Sequence, residues 1–245
     1  MLPYCQKIMH WRQRIFFRKT SLKRLKEIVI LWTLLLPDIY WCFQMMADSR
    51  PVSAGGPVNV VLLGHSYIRR LRVYARQTGR ANLGLAGMNV NFICQGGLTL
   101  RPRSRRSPRG GCTRSVQDCL QAVAACCPSV IVIHIGENDL GHVSAGEIVR
   151  EILLLVTHLS YHCQCPVYVS QLLTWPSHSL QRVHDVQEIN AQLRHMLPPY
   201  RFWRHRRVFT SAFFLPDRVH LNDTGMSCYF SSIRVLIARA VHNLQ

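Results

Sequence analysis

The run Val58-Asn59-Val60-Val61-Leu62-Leu63-Gly64-His65-Ser66 constrains the fold more than any other stretch of the chain. Four consecutive apolar side chains, Val60 to Leu63, suit a strand covered on both faces, which is the habit of a parallel sheet wrapped by helices. The run stops at a glycine and at once presents a serine, and the segment from Ser66 to about Gln77 reads as a helix. A helix that starts at the serine brings unpaired backbone N–H groups and the positive end of its dipole to that hydroxyl. A Gly-x-Ser turn specifies little by itself, because most serines at strand ends cap helices. Other blocks must decide whether Ser66 is a nucleophile.

From Pro57 onward, short apolar runs alternate with helical periodicities, the pattern of repeated strand–helix units. Strands are predicted at Val58 to Leu63, Asn89 to Cys94, Val130 to Ile135, Val167 to Gln171 and Arg206 to Thr210. One helix opens with a capping box, Ser144 with Glu147, and carries Ile148, Ile152, Leu155, Val156 and Leu159 on one side. A second carries Val183, Val186, Ile189, Leu193 and Leu197 and ends at Pro198-Pro199, and a third follows Asn222-Asp223. About five strands with helices between them give an α/β, three-layer α/β/α sandwich with a mainly parallel sheet. Ligands of such sheets sit beyond the carboxyl ends of the strands.

With 245 residues, 48% of them hydrophobic, the chain is long enough for one substantial core and an extension. Residues 1–50 differ in kind: all four lysines lie in the first 26 positions, and eight Lys/Arg precede the first acid, Glu27. The apolar run Ile28 to Leu36 that follows is far short of the roughly 20 residues a spanning helix needs, and Asp38 interrupts any longer window. The segment reads as an accessory or unstructured extension, with a signal anchor or weak membrane association as the alternative. Met45 and Met46 offer a second start just before the linker 47–57.

Charge is the compositional outlier, 30 Lys+Arg against 12 Asp+Glu for a net +18, which favours polyanionic partners such as nucleic acid. The insert Arg101 to Arg114 contributes six arginines (Arg101, Arg103, Arg105, Arg106, Arg109, Arg114) and no acid. It reads either as a solvated loop or as a contact for phosphate or carboxylate groups, with Arg101, Arg103, Arg105 and Arg106 as candidate substrate-binding residues. Arg201, Arg204, Arg206 and Arg207 form a second cluster, interleaved with Phe202 and Trp203. The ten cysteines fall within expected helices and strands and read as small buried hydrophobes, which suits a reducing, intracellular and cytoplasmic setting. His158, His162, Cys163 and Cys165 have a spacing that could hold zinc, but they straddle a helix end, and no metal is expected there.

Three further blocks sit where loops leave the carboxyl ends of strands or precede the last helix: Gln95-Gly96-Gly97-Leu98-Thr99, Gly136-Glu137-Asn138-Asp139 and Asp217-Arg218-Val219-His220. Together with Ser66 they supply what acyl transfer needs. A neutral serine requires a base, for which His220 is suited, and Asp217 can orient the imidazole from three residues away. The Ser66 and Gly97 backbone N–H groups and the Asn138 amide can receive the oxyanion. Glu137 and Asp139 are read as fixing the Asn138 loop.

At these four blocks, over residues 57–242, the chain resembles the SGNH (GDSL-type) hydrolase superfamily, named for its Ser, Gly, Asn and His blocks. The wording Gly64-His65-Ser66-Tyr67-Ile68-Arg69-Arg70-Leu71 and Val219-His220-Leu221-Asn222 looks most like SGNH hydrolase-type domains of animal genomes, some carried by retroelements. The resemblance implies a flavodoxin-like three-layer fold, a Ser-His-Asp esterase acting on a small-molecule, lipid or carbohydrate ester, and no cofactor. One departure stands out. The family's usual Gly-Asp-Ser is Gly-His-Ser here, which reads as a tolerated substitution or as the mark of a weakened enzyme whose Arg-rich surface binds nucleic acid or another polyanion.

Overall fold

A computed structural model describes residues 56–102, 114–206 and 210–244. The chain divides into Met1–Met46 and Ala47–Gln245, and every described residue lies in the second unit. The expectations for the N-terminal extension and for Arg103, Arg105, Arg106, Arg109 and Arg207 therefore lie outside the described residues.

Five strands, β1 (Val58–Gly64), β2 (Met88–Cys94), β3 (Val130–His134), β4 (Val167–Ser170) and β5 (Phe202–Trp203), form one sheet in the order β2-β1-β3-β4-β5. Every pairing is parallel. The order is that of a doubly wound sheet, the chain running from β1 outward to β2 on one side and through β3, β4 and β5 on the other. The helices are α1 (Ser66–Gln77), α2 (Leu120–Ala125), α3 (Ala145–Cys163), α4 (Leu180–Met196) and α5 (Asp223–His242).

Alternation along β1 divides the core. Val61 and Leu63 join Ile131, Ile133, Val167 and Val169 beneath the apolar stripes of α3 and α4. Val60 and Leu62 join Val130, Val132 and Tyr168 against α1 and α5. β1 and β3 are buried on both faces, which is why they read as unbroken apolar runs. α3 starts where the capping box places it, the Ser144 hydroxyl accepting from the Glu147 N–H while the Glu147 carboxylate accepts from the Ser144 N–H.

The fifth strand falls earlier than the sequence suggests. It is Phe202–Trp203 itself, not Arg206 to Thr210, and residues 207–209 lie outside the described residues. The second basic cluster is partly interior as a result: Arg201 is buried, its guanidinium 4.9 Å from the Tyr168 ring centroid, while Arg204 and Arg206 are exposed. Among the described residues no helix is long and apolar enough to cross a membrane.

Candidate active site

Strand register sets the site. Gly64 at the end of β1 is level with Cys94 of β2 and His134 of β3, so the Ser, Gly and Asn blocks leave the sheet from one edge. β1 and β3 come so close there that a Cβ on residue 64 would lie 2.3 Å from the His134 carbonyl oxygen. Only glycine fits, and the chain turns directly into α1 with Ser66 as its first residue, half-buried.

The Gly block is a turn in which Gly97 has φ +73°, a conformation that favours glycine, and its backbone is exposed. Asn138 sits in a 3₁₀ turn after β3 and donates from Nδ2 to the Leu98 carbonyl at 2.9 Å, joining the Asn and Gly blocks. Asp139 accepts the Leu100 N–H at 3.1 Å, so it fixes the loop as expected.

The His block is a self-bonded loop. Asp217 Oδ1 accepts the Val219 and His220 N–H groups, each at 2.9 Å, and Oδ2 accepts from His220 Nδ1 at 2.7 Å. Partial desolvation pushes the Asp217 carboxyl up, but the three bonds from His220 and Val219 outweigh it and hold the pKa at about 2. With Nδ1 donating to the carboxylate, His220 Nε2 is the atom left to act as base. The block is tied to the Ser block: the Tyr67 hydroxyl donates to the Val219 carbonyl at 2.9 Å. Burial, then the Glu137 charge, raises that phenol well above its ordinary range, so it stays a donor.

The structure thus places Ser66 at the start of α1, Gly97, Asn138, Asp217 and His220 in the turns that follow β2 and β3 and precede α5, and pairs His220 with Asp217. Arg101 is ion-paired with Glu151 of α3. His158 and His162 stack on α3 with ring centroids 4.2 Å apart. Among the described residues they do not converge with Cys163 and Cys165 into a ligand set.

Behind Ser66 lies a cluster that the sequence reading missed. His65 faces inward, fully buried, with Nε2 2.8 Å from Glu137 Oε2. Glu137 Oε1 is 2.7 Å from His134 Nε2 and accepts the Leu173 N–H at 3.1 Å. His134 Nδ1 faces the Tyr229 hydroxyl at 2.9 Å and Ser170 Oγ at 3.1 Å, and Ser170 reaches His205 Nε2 at 3.0 Å. Burial pushes the Glu137 carboxyl up, but the two imidazoles outweigh it and hold the carboxyl well below the usual range, while burial drives His205 down to about 3. The metal-ligating atoms of His65, His134 and Glu137 lie within 4.8 Å of one another, close enough for one ion to bridge, yet each is engaged in the hydrogen bonds just given. Glu137 therefore does more than shape the Asn138 loop. The available signal was His134, a lone polar residue in an otherwise apolar strand.

Solved structures share this architecture. A lipase/acylhydrolase from Enterococcus faecalis superposes with a TM-score of 0.55 over 74% of this chain and 96% of its own, at 16% identity. At this identity the likeness is one of fold, a parallel five-stranded sheet with helices on both faces. TesA aligns at a TM-score of 0.52 over 73% of this chain and 97% of its own, with 14% identity. A carbohydrate esterase family 3 from Talaromyces cellulolyticus aligns at 0.50 over 77% and 100%, with 16% identity. No family model matches the sequence, and no curated protein matches it either.

Proposed function

We propose that the chain is an ester hydrolase in which Ser66 attacks the acyl carbon, His220 takes the hydroxyl proton and returns it to the leaving alcohol, and Asp217 holds the imidazole. The Ser66 and Gly97 N–H groups and the Asn138 amide receive the oxyanion. The observation that carries this reading is the bonded Asp217–His220 pair, linked to the Ser66 turn through Tyr67 and Val219, on an SGNH hydrolase fold. The substrate class is an acyl or acetyl ester, and the narrower likeness to animal-genome domains rests on the wording of the Ser and His blocks alone. A fluorophosphonate probe should label the protein, and Ser66→Ala should abolish labelling. Labelling that survives the substitution overturns the assignment.

A second reading is a polyanion-binding module. It is favoured by 21 arginines against nine acids in residues 51–245 and by a polar cleft beside edge strand β2 lined by Asn59, Arg72, Arg76, Asn82, Asn89 and Asn91. Turnover of a panel of short-chain and acetylated-sugar esters that depends on Ser66 supports the enzyme. No turnover, with tight and salt-sensitive RNA binding, supports the module.

A further inference from the structure

Two imidazoles, each backed by a carboxylate, are linked to the Ser66 turn, His65 by its own contact with Ser66 Oγ and His220 through the Tyr67–Val219 bond. The half-exposed one is His220 with Asp217. The other is His65, whose Nδ1 lies 3.4 Å from Ser66 Oγ and whose Nε2 is bonded to Glu137 at 2.8 Å. An ionised carboxylate can only accept, so Glu137 requires the hydrogen of His65 to sit on Nε2, and that tautomer leaves the Nδ1 lone pair facing the serine hydroxyl. Glu137 is itself held in place from three sides, by His65, His134 and the Leu173 N–H. The arrangement has the same order of parts as Ser66, His220 and Asp217, with His65 beside Ser66 in sequence and both His65 and Glu137 buried. A contact of 3.4 Å is long for a resting hydrogen bond, but nucleophile–base contacts commonly tighten only when substrate is bound.

We infer that His65 is a second base for Ser66, backed by Glu137 as His220 is backed by Asp217. This rests on Ser66 being the nucleophile. In the acylation half-reaction the Ser66 Oγ–C bond forms and the ester C–O bond breaks. The hydroxyl proton moves to His65 Nδ1, the resulting imidazolium is paired with the Glu137 carboxylate, and the proton is returned to the departing ester oxygen, which leaves as the alcohol. Because His65 is fully buried, its Nδ1 reaches Ser66 but not a solvent water, so it supports bond formation and not the attack of water on the acyl-enzyme. That second half needs His220.

The test is a double-mutant cycle read by two measurements. Gln at position 65 reproduces the Nε2 end of the ring and keeps a donor for Glu137 while removing the lone pair at Ser66. Asn reproduces the Nδ1 end without its basicity. Fluorophosphonate labelling rates are compared for the parent, His65→Gln, His220→Ala and the double variant, with Ser66→Ala as the control for the nucleophile itself. Loss of His220 should slow labelling roughly 10²-fold or more. His65→Gln should then cost at least about ten-fold more in the His220→Ala background than in the parent, because two bases substitute for each other. With p-nitrophenyl acetate, His220→Ala should release about one equivalent of p-nitrophenolate per Ser66 and then stop, and the double variant should lose this burst. If His65→Gln costs the same factor in both backgrounds, or His220→Ala gives no burst, His65 is structural and the inference is wrong. If His65→Gln fails to fold, His65→Asn carries the same comparison; if both fail, Glu137→Gln in the two backgrounds does. Labelling that persists in Ser66→Ala would instead overturn the nucleophile assignment, a distinct result.

Discussion

The Tyr67 hydroxyl donates to the Val219 carbonyl at 2.9 Å, so the residue after the candidate nucleophile is bonded to the residue before the candidate base, 152 positions away. Both residues adjoin the chemistry without taking part in it, and the bond fixes the distance between two loops that no strand connects. Tyr67→Phe keeps the buried ring and removes this link together with the hydroxyl's interaction with Trp175. It should lower kcat by roughly ten-fold with a smaller change in KM, since small misplacements of reacting groups weaken the transition state more than binding. Stability should fall by about 1 kcal/mol. Steady-state kinetics on any hydrolysed ester checks the first point, and urea unfolding checks the second.

Asp217 gives a pH signature. Its pKa lies at about 2 in the folded chain against an ordinary 3.8, so the unfolded chain binds the proton more readily. The pairing therefore contributes its full stability above about pH 4, and the contribution is lost as pH falls from there through about 2. The side chain is 46% exposed, so solvent screening keeps the effect small. Asp217→Asn should flatten the acid limb of the stability curve between those values, lowering stability at neutral pH by the small amount the pairing contributes and leaving stability near pH 2 little changed. On activity the same substitution should cost on the order of 10²-fold or more in kcat, because the imidazole loses the partner that selects its tautomer. A variant with parental kcat contradicts the role assigned to Asp217.

Gly64 is a packing requirement. Alanine there would place its Cβ 2.3 Å from a backbone oxygen of β3 and 2.7 Å from Ile68 Cγ1, and neither strand can give way without disturbing the sheet centre. Gly64→Ala should destabilise by about 2 kcal/mol or more, seen as a lower midpoint in thermal unfolding. A melting temperature equal to that of the parent would contradict the register described between β1 and β3.

Glu137→Leu tests the buried cluster. The substitution leaves His65 Nε2, His134 Nε2 and the Leu173 N–H without their acceptor in the interior. The expected loss is about 3 kcal/mol or more, large enough to read by denaturant midpoint at unchanged slope. Glu137→Gln retains one acceptor and should cost less, and an equal cost for both would show that shape and not polarity matters at this position.

The parts of the fold that were legible in the sequence are those in which local pattern and tertiary role agree. α1 begins at Ser66 and ends at Gln77 as its periodicity indicates, and the Ser144–Glu147 capping box starts α3. β5 was not legible because two residues, Phe202 and Trp203, are too few for any alternation to show, and their pairing depends on a neighbour in space. The buried polar cluster was hidden for a related reason. His65, His134, Glu137, Ser170, His205 and Tyr229 are scattered over more than half of the chain, and only sheet register brings them together. The Asp217–His220 pair, by contrast, is three positions apart in one loop and could be read from spacing alone.

The Arg-rich insert supplies the last prediction. Arg101 is already neutralised by Glu151, so an anion at this loop would be drawn by Arg103, Arg105, Arg106, Arg109 and Arg114. Attraction among exposed charges is screened over about 8 Å at physiological salt, so any contribution must weaken steeply as salt is added. Replacing those five arginines by glutamine should reduce affinity for a single-stranded RNA oligomer or the turnover of an anionic ester far more than it reduces turnover of a small neutral ester, and the gap should close as salt rises. Parallel titrations at low and high salt measure it. Equal losses for neutral and anionic ligands at every salt concentration would show that the loop supports the fold and does not attract charge.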